Sequence, residues 1–374
     1  MKNNTSNIVL LVLLASIMAF FSLSYIFVEE KNFSEDENRY LQTSPRFTLE
    51  KLLDGTYTRQ LRDYYSDQIN LRPFIVELKA LTELSIGKHE NNGVLLGSNG
   101  YLIETDLYTD KDLAYLNANL KRIDKLIATL EKSNVKTTFS LVPRKVDVLT
   151  DKLPVYYSTE RNENAWLMAS EDQNVDILAL LKEENQKGNE VFYKTDHHWS
   201  AFGAYAVYQH LGANLGYDSH SIEHFNLQTL SDSFYGTTYS TSGFFFVESD
   251  TILSPNIDEN RYTTTIVDTN TSFKGLYDTS YLAKKDKYSV FLSGNNAHVK
   301  IVDTQNADKK TLLIVKDSFS HSLVPYLVEH YNIELIDPRY FAGSIENYIT
   351  ENNIENVLFL FGIDTLASAN LSIR

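Results

Sequence analysis

The chain has 374 residues, 49 acidic side chains against 34 basic ones for a formal charge of −15, and no cysteine. That balance excludes a nucleic-acid binder, whose affinity rests on neutralising phosphates, and docking on an anionic bilayer through a polybasic patch. The missing cysteine excludes disulfides, thiolate catalysis, cysteine-ligated zinc and a lipid-modified N-terminal thiol, a usage that fits a Gram-positive cell surface.

Residues 8–28, IVLLVLLASIMAFFSLSYIFV, carry no charge and are long enough to cross a bilayer, which takes about 20 residues. Lys2 precedes the run and Glu29 and Glu30 follow it, which puts residues 1–7 in the cytoplasm and the rest of a single-pass chain outside. Ser22 and Ser24 offer a small-x-small cleavage site, but Tyr25-Ile26-Phe27 prolong the apolar run beyond it, favouring an uncleaved signal anchor over a signal peptide. Residues 29–90 read as a helical juxtamembrane stalk, with Leu49, Leu52, Leu53, Tyr57 and Leu61 near helical spacing and a second helix after Pro73. GVLLGSNGYLIE then makes a hairpin that turns at Asn99-Gly100.

Residues 91–374 alternate between helix and strand. KDLAYLNANLKRIDKLIATLEKS is an amphipathic helix, VKTTFSLVP a strand stopped by Pro143, NVDILALLKEENQKG a helix and NEVFY a short strand. TLLIVKDS is a buried strand running into the helix FSHSLVPYLVEHY, and IELIDP, GSIENYITENN and ENVLFLFG supply strand, helix and strand. This alternation predicts an α/β domain with a mainly parallel sheet and helices on both faces. Residues 217–300, rich in Ser, Thr, Tyr, Asn and Gly, read as an insertion of irregular structure and short strands.

Two constellations carry chemistry. Asp196-His197-His198-Trp199 follows NEVFY and precedes Ser200, an N-cap for AFGAYAVYQHLGANLG. It therefore falls at the C-terminal end of a strand, where open α/β sheets place ligands. On an extended segment Asp196 and His198 face one side and His197 the other. Asp196 can then orient His198 as a triad carboxylate does, with Trp199 walling the site. Asp317 and Ser318 stand where a strand breaks into a helix, and a serine there is lifted beside free helix N–H groups. Taken alone, an Asp-Ser pair at such a junction is more often a helix cap. A metal site competes for Asp196, His197 and His198, but tandem histidines usually point apart and no His-Glu-x-x-His helix completes the set, so neither metal nor cofactor is expected.

TDHHWSAFGAY, YSVFLSGNNAH, LLIVKDSFSHSLVPYL and IDPRYF resemble segments of the DHHW family of exported bacterial proteins, over most of the chain. That family is similar to the alginate O-acetyltransferase group of SGNH-like enzymes, in which an Asp-x-His-Trp element precedes the serine element. The resemblance implies an SGNH-hydrolase-like fold with Ser318 as nucleophile and His198 and Asp196 as its partners, although Lys316 stands in place of the glycine of Gly-Asp-Ser. His198 would take the Ser318 proton as the hydroxyl attacks an acyl carbonyl. The N–H of Ser318 or Phe319, with Asn295, would serve the oxyanion. Arg339 either binds an anionic or hydroxyl-rich polymer or pairs with Asp337. Arg144 and Lys145 are a similar case, Lys145 reading as a solvated loop residue. His321 is a reserve base, and His89, His210, His220 and His224 show no partner pattern. The expected protein is a membrane-anchored, surface-facing O-acetyltransferase or esterase acting on a polysaccharide or wall polymer. It would work beside a multi-pass membrane O-acyltransferase. The alternative is a non-catalytic carbohydrate-binding or assembly subunit.

Overall fold

A run such as LLIV or VLFLF has no polar alternation, so as a strand it must be covered on both faces. The computed structural model describes residues 2–27, 29–34, 39–69, 71–157, 166, 169 and 173–374, with the side chains of 2–6, 17, 21–27 and 39 outside the description. The chain divides into two units, residues 1–92 with 243–245, and residues 93–242 with 246–374.

The second unit is built on a seven-stranded sheet. Its strands are β1 (Lys136–Val142), β2 (Tyr262–Ile266), β3 (Thr271–Lys274), β4 (His298–Asp303), β5 (Thr311–Lys316), β6 (Asn332–Ile336) and β7 (Asn356–Gly362). Their order in space is β3-β2-β4-β6-β5-β7-β1. The helices that matter are α1 (Asp110–Lys132), α2 (Ile177–Gln186), α3 (Ala201–Leu215), α4 (Thr237–Ser242), α5 (Ser320–Leu327), α6 (Ile345–Glu351) and α7 (Ile363–Ser368).

Side chains alternate across the sheet with period two, and both faces are apolar. Leu312, Ile314, Leu358 and Leu360 join Leu181 of α2, Tyr208 of α3 and Leu323 of α5 in one core. Leu313, Val315, Val357 and Phe359 join Ile123 of α1, Ile349 of α6 and Leu366 of α7 in the other. Helix α1 starts at a capping box, Thr109 and Asp112 satisfying each other's backbone N–H.

The sheet is mixed rather than mainly parallel, which corrects the expectation. Strands β6, β5, β7 and β1 run parallel, while β4, β2 and β3 continue the sheet antiparallel. Two of these come from the segment that reads as irregular. Its threonines are β-branched strand formers, and Tyr262, Thr264 and Ile266 are buried in alternation. The expected NEVFY strand does not join the sheet either. Residues 191–200 form a reversing loop closed by a Phe192–Trp199 bridge, with Ser200 N–H on Val191 O at 2.9 Å. The backbone of that segment is used within the loop itself, with Tyr193 N–H on His198 O at 3.2 Å, and Asp250 takes the next two N–H groups, of Lys194 and Thr195, at 2.8 and 2.7 Å.

The first unit holds helices at Lys2–Phe27, Leu49–Leu53, Thr56–Asp67 and Arg72–Ser85. Among the described residues no helix is long and apolar enough to cross a membrane. The expected 8–28 span lies partly outside the described side chains, at 17 and 21–28.

Helix α3 can pack on the reversing loop only because position 203 lacks a Cβ. An added Cβ would stand 2.2 Å from Val191 O and 2.9 Å from Trp199 Cβ. Gly203→Ala is therefore expected to destabilise the chain by about 1–3 kcal/mol, read as a lower urea midpoint. An unchanged midpoint would show that the helix and loop do not touch this closely.

Candidate active site

Strand β5 ends in Lys316, and Asp317, Ser318 and Phe319 turn the chain into α5. Asp317 is buried and accepts the N–H groups of Phe319 at 3.0 Å and Gly362 at 2.7 Å, tying the turn to the end of β7. Ser318 is left half-buried at the C-terminal edge of the parallel strands, the place where such sheets put ligands. The reversing loop meets it there. Ser318 Oγ lies 2.8 Å from His198 Nε2, and His198 Nδ1 lies 2.6 Å from Asp196 Oδ1.

Each partner is held by further bonds. Asp196 also accepts the His198 backbone N–H at 2.9 Å, the Thr237 N–H at 2.8 Å and the Thr237 hydroxyl at 3.1 Å. Tyr288 stacks on the His198 ring with centroids 3.9 Å apart and planes at 13°. Its hydroxyl lies 3.1 Å from Ser322 Oγ and 3.3 Å from the Ser318 carbonyl oxygen. Trp199 donates Nε1–H to the same Ser322 hydroxyl at 2.9 Å.

Burial opposes the Asp196 charge, but the neighbouring His197 and His198 and the hydrogen bonds from His198 hold its carboxyl well below the usual range. Burial pushes His198 down to about 4, with His197 acting in the same direction and Asp196 against it. At neutral pH the ring is therefore uncharged, donating Nδ1–H to Asp196 and offering Nε2 to the Ser318 hydroxyl.

The pocket in front of Ser318 has a volume of about 310 Å³ and is lined in part by His197, Arg144, Lys145, Arg339 and Asp364. Several expected roles change. His197 does not face away from His198, because the segment is bent rather than extended. Its ring centroid is 3.9 Å from that of His198, and its Nδ1 is 2.7 Å from Thr237 Oγ1. Trp199 does not wall the pocket; it is fully buried and anchors α5 through Ser322. The Phe319 N–H is engaged by Asp317 and so is not open to an oxyanion, while other atoms of Phe319 line the pocket. Asn295 lies on an exposed turn, 3.5 Å from Arg339 Nη2, and does not line the pocket. Arg339 makes a two-point pair with Asp337, at 2.9 and 2.7 Å, and lines the pocket as well. Lys145 is buried rather than solvated, its Nζ on the carbonyls of Leu102 and Lys194. His321 is no reserve base, being buried with Nε2 2.8 Å from Lys316 Nζ.

Asp196, His197 and His198 also form a cluster of metal-ligand type, one atom from each lying within 4.8 Å of the others. Both Asp196 oxygens, both His198 nitrogens and His197 Nδ1 are already hydrogen-bonded, so a cation here would have to displace the Ser318 or Asp196 contacts. The residues that sequence reasoning missed are Thr237, Tyr288 and Asp250. All three lie in the segment read as an irregular insertion, and nothing local marks any of them.

A sequence model of the family described as DHHW protein matches residues 118–336, more than half of the chain. A Pseudomonas syringae pv. tomato protein named probable alginate O-acetylase AlgJ is 27% identical over 177 residues. Its Pseudomonas aeruginosa counterpart is 23% identical over 176 residues. Each match covers 44% of this chain and 44% of the relative, so the chain spans less than half the length of these curated relatives. Among solved structures, Bacillus cereus PatB1 aligns with a TM-score of 0.60 at 20% identity, covering 75% of this chain and 99% of that one. A DHHW family protein from Eubacterium siraeum aligns with a TM-score of 0.59 at 22% identity, covering 75% and 94%. These likenesses establish the mixed α/β fold.

A Cβ on residue 236 would come within 2.2 Å of Asp196 Cβ and Oδ2. Gly236→Ala is expected to push Asp196 off His198 and to cost about 1–3 kcal/mol. The checks are the thermal midpoint and the hydrogen-bonded Nδ1 proton of His198 by NMR, which should lose its protection from exchange.

Proposed function

The chain belongs to the DHHW family, and on that premise we propose that it is an acetyl-class O-acyltransferase or esterase acting on a polysaccharide through Ser318, His198 and Asp196. The observation that carries this reading is the unbroken relay from Ser318 Oγ through His198 to Asp196, with bonds of 2.8 and 2.6 Å at the pocket. The curated relatives named as probable alginate O-acetylases support the acyl and polysaccharide parts of it. The SGNH-like arrangement is part of the same reading.

The steps follow from the protonation states. Neutral His198 takes the Ser318 proton as Oγ bonds to the acyl carbon of an ester donor. The C–O bond to the donor's alcohol breaks, and His198 returns the proton to that leaving oxygen. In the second half an acceptor hydroxyl gives its proton to His198 and attacks the acyl-serine, forming the new ester and restoring Ser318. Water in the acceptor's place gives hydrolysis. Asp196 stays ionised and stabilises the imidazolium in both halves. The Ser318 N–H is the assigned oxyanion donor, since Asp317 holds that of Phe319. The same reading places the domain outside the cell, anchored by residues 8–28 and supplied with acyl groups by a multi-pass membrane O-acyltransferase.

Ser318→Ala and His198→Ala are each expected to cut acetyl release from a chromogenic ester by roughly a thousandfold or more, with the circular dichroism spectrum unchanged. A sulfonyl fluoride should add mass at Ser318 in the parent and not in Ser318→Ala. Unaltered turnover in both variants would turn the reading to a carbohydrate-binding subunit, and loss of turnover with a chelator would turn it to metal chemistry. The pH profile gives a separate check. Protonation disables a general base, so kcat/KM should rise about tenfold per pH unit up to about 4 and then level off, following the His198 value.

A further inference from the structure

Resting on the acyl-transfer reading, we propose that the acceptor is an uncharged, hydroxyl-rich glycan and that the pocket selects against uronate polymers. The pocket shows three cations, and each has internal partners, although Arg144 Nε has no hydrogen bond among the described residues and Arg339 shares Asp337 with Lys316. Arg339 spends Nε and Nη2 on Asp337, at 2.9 and 2.7 Å. Arg144 gives Nη1 and Nη2 to the carbonyls of Asp106 and Glu104, at 2.6 and 3.3 Å, and its Nε stands 3.5 Å from Asp364 Oδ2. Lys145 sits on two carbonyls in the field of Asp250, Asp196 and Glu104. A carboxylate recognised through the two-point Nε/Nη2 edge of Arg339 would have to displace Asp337.

The rest of the wall suits hydroxyls. Glu104 is half-buried and, among the described residues, its carboxylate takes only the Thr238 hydroxyl at 3.0 Å, and Asp364 is 54% exposed and takes the Tyr108 hydroxyl at 2.5 Å. Both carboxylates keep further acceptor capacity and would repel a uronate. His197 lines the pocket with Nδ1 engaged on Thr237, and its Nε2 has no hydrogen-bond partner among the described residues. Farther out, a chain of formal charge −15 repels a polyanion, an effect that salt screens beyond about 8 Å at physiological strength.

The test uses the full chain, a chromogenic acetyl ester as donor, and two acceptors of equal length, a neutral hexose oligosaccharide and a uronate oligosaccharide, with acetylated product read by mass spectrometry. The expected result is at least a tenfold higher kcat/KM for the neutral acceptor, narrowing as salt is raised. Asp364→Asn, which frees Arg144 from its exposed carboxylate, should narrow the gap several-fold. Equal or better transfer to the uronate, or transfer to neither acceptor while ester hydrolysis persists, overturns the proposal and leaves the Ser318 reading standing. An unchanged gap in Asp364→Asn also counts against it.

Discussion

The hydrogen bond from His198 to Asp196 is the constraint around which the second unit is arranged. It fixes the tautomer of the ring, and the tautomer decides whether Nε2 accepts from Ser318 or competes with it as a donor. A carboxylate alone in a buried site would protonate or rotate. Here four donors from two stretches of chain fill both oxygens, so the charge survives burial and has one orientation. Charge-assisted hydrogen bonds of this kind contribute about 1.5–3 kcal/mol each toward holding a ten-residue reversing loop that has no place in the sheet.

The segment between α3 and β4 supplies most of that support. Thr237 opens α4 and binds Asp196, Asp250 grips the backbone just before it, and Tyr288 covers the ring of His198. Tyr288 also approaches the Ser318 carbonyl and Ser322, so it registers the imidazole against the turn that carries the Ser318 hydroxyl. The same burial that lets Tyr288 stack on His198 lowers the proton affinity of the imidazole. Structural support and the low proton affinity of the ring thus have one origin.

Behind the serine turn lies a second buried polar group, in which Lys316 meets His321 at 2.8 Å and Asp337 at 3.3 Å. Burial lowers the proton affinity of His321, and Lys316 acts in the same direction, which keeps the ring uncharged and able to accept from the ammonium. Asp337 is shared between Lys316 and Arg339 and so links the end of β5 to the pocket wall. Removing one member of such a group leaves an uncompensated buried charge, so its members depend on one another.

The sequence by itself determined the two-sided strands, because LLIV and VLFLF admit no solvent-facing side, and it marked the Asp-x-His and Asp-Ser elements through chemistry that is local to a few residues. It also placed Ser200 as a helix cap, a contact spanning three residues. Only the tertiary structure decided that Ser318 and His198, 120 residues apart, lie within one hydrogen bond. It alone turned Trp199 and His321 inward, buried Lys145 and kept Asn295 out of the pocket lining. The physical reason is range. Periodicity and capping are set by neighbours in sequence, whereas burial and ring partners depend on which distant backbone groups, such as those gripped by Asp250 and Asp317, have already been satisfied.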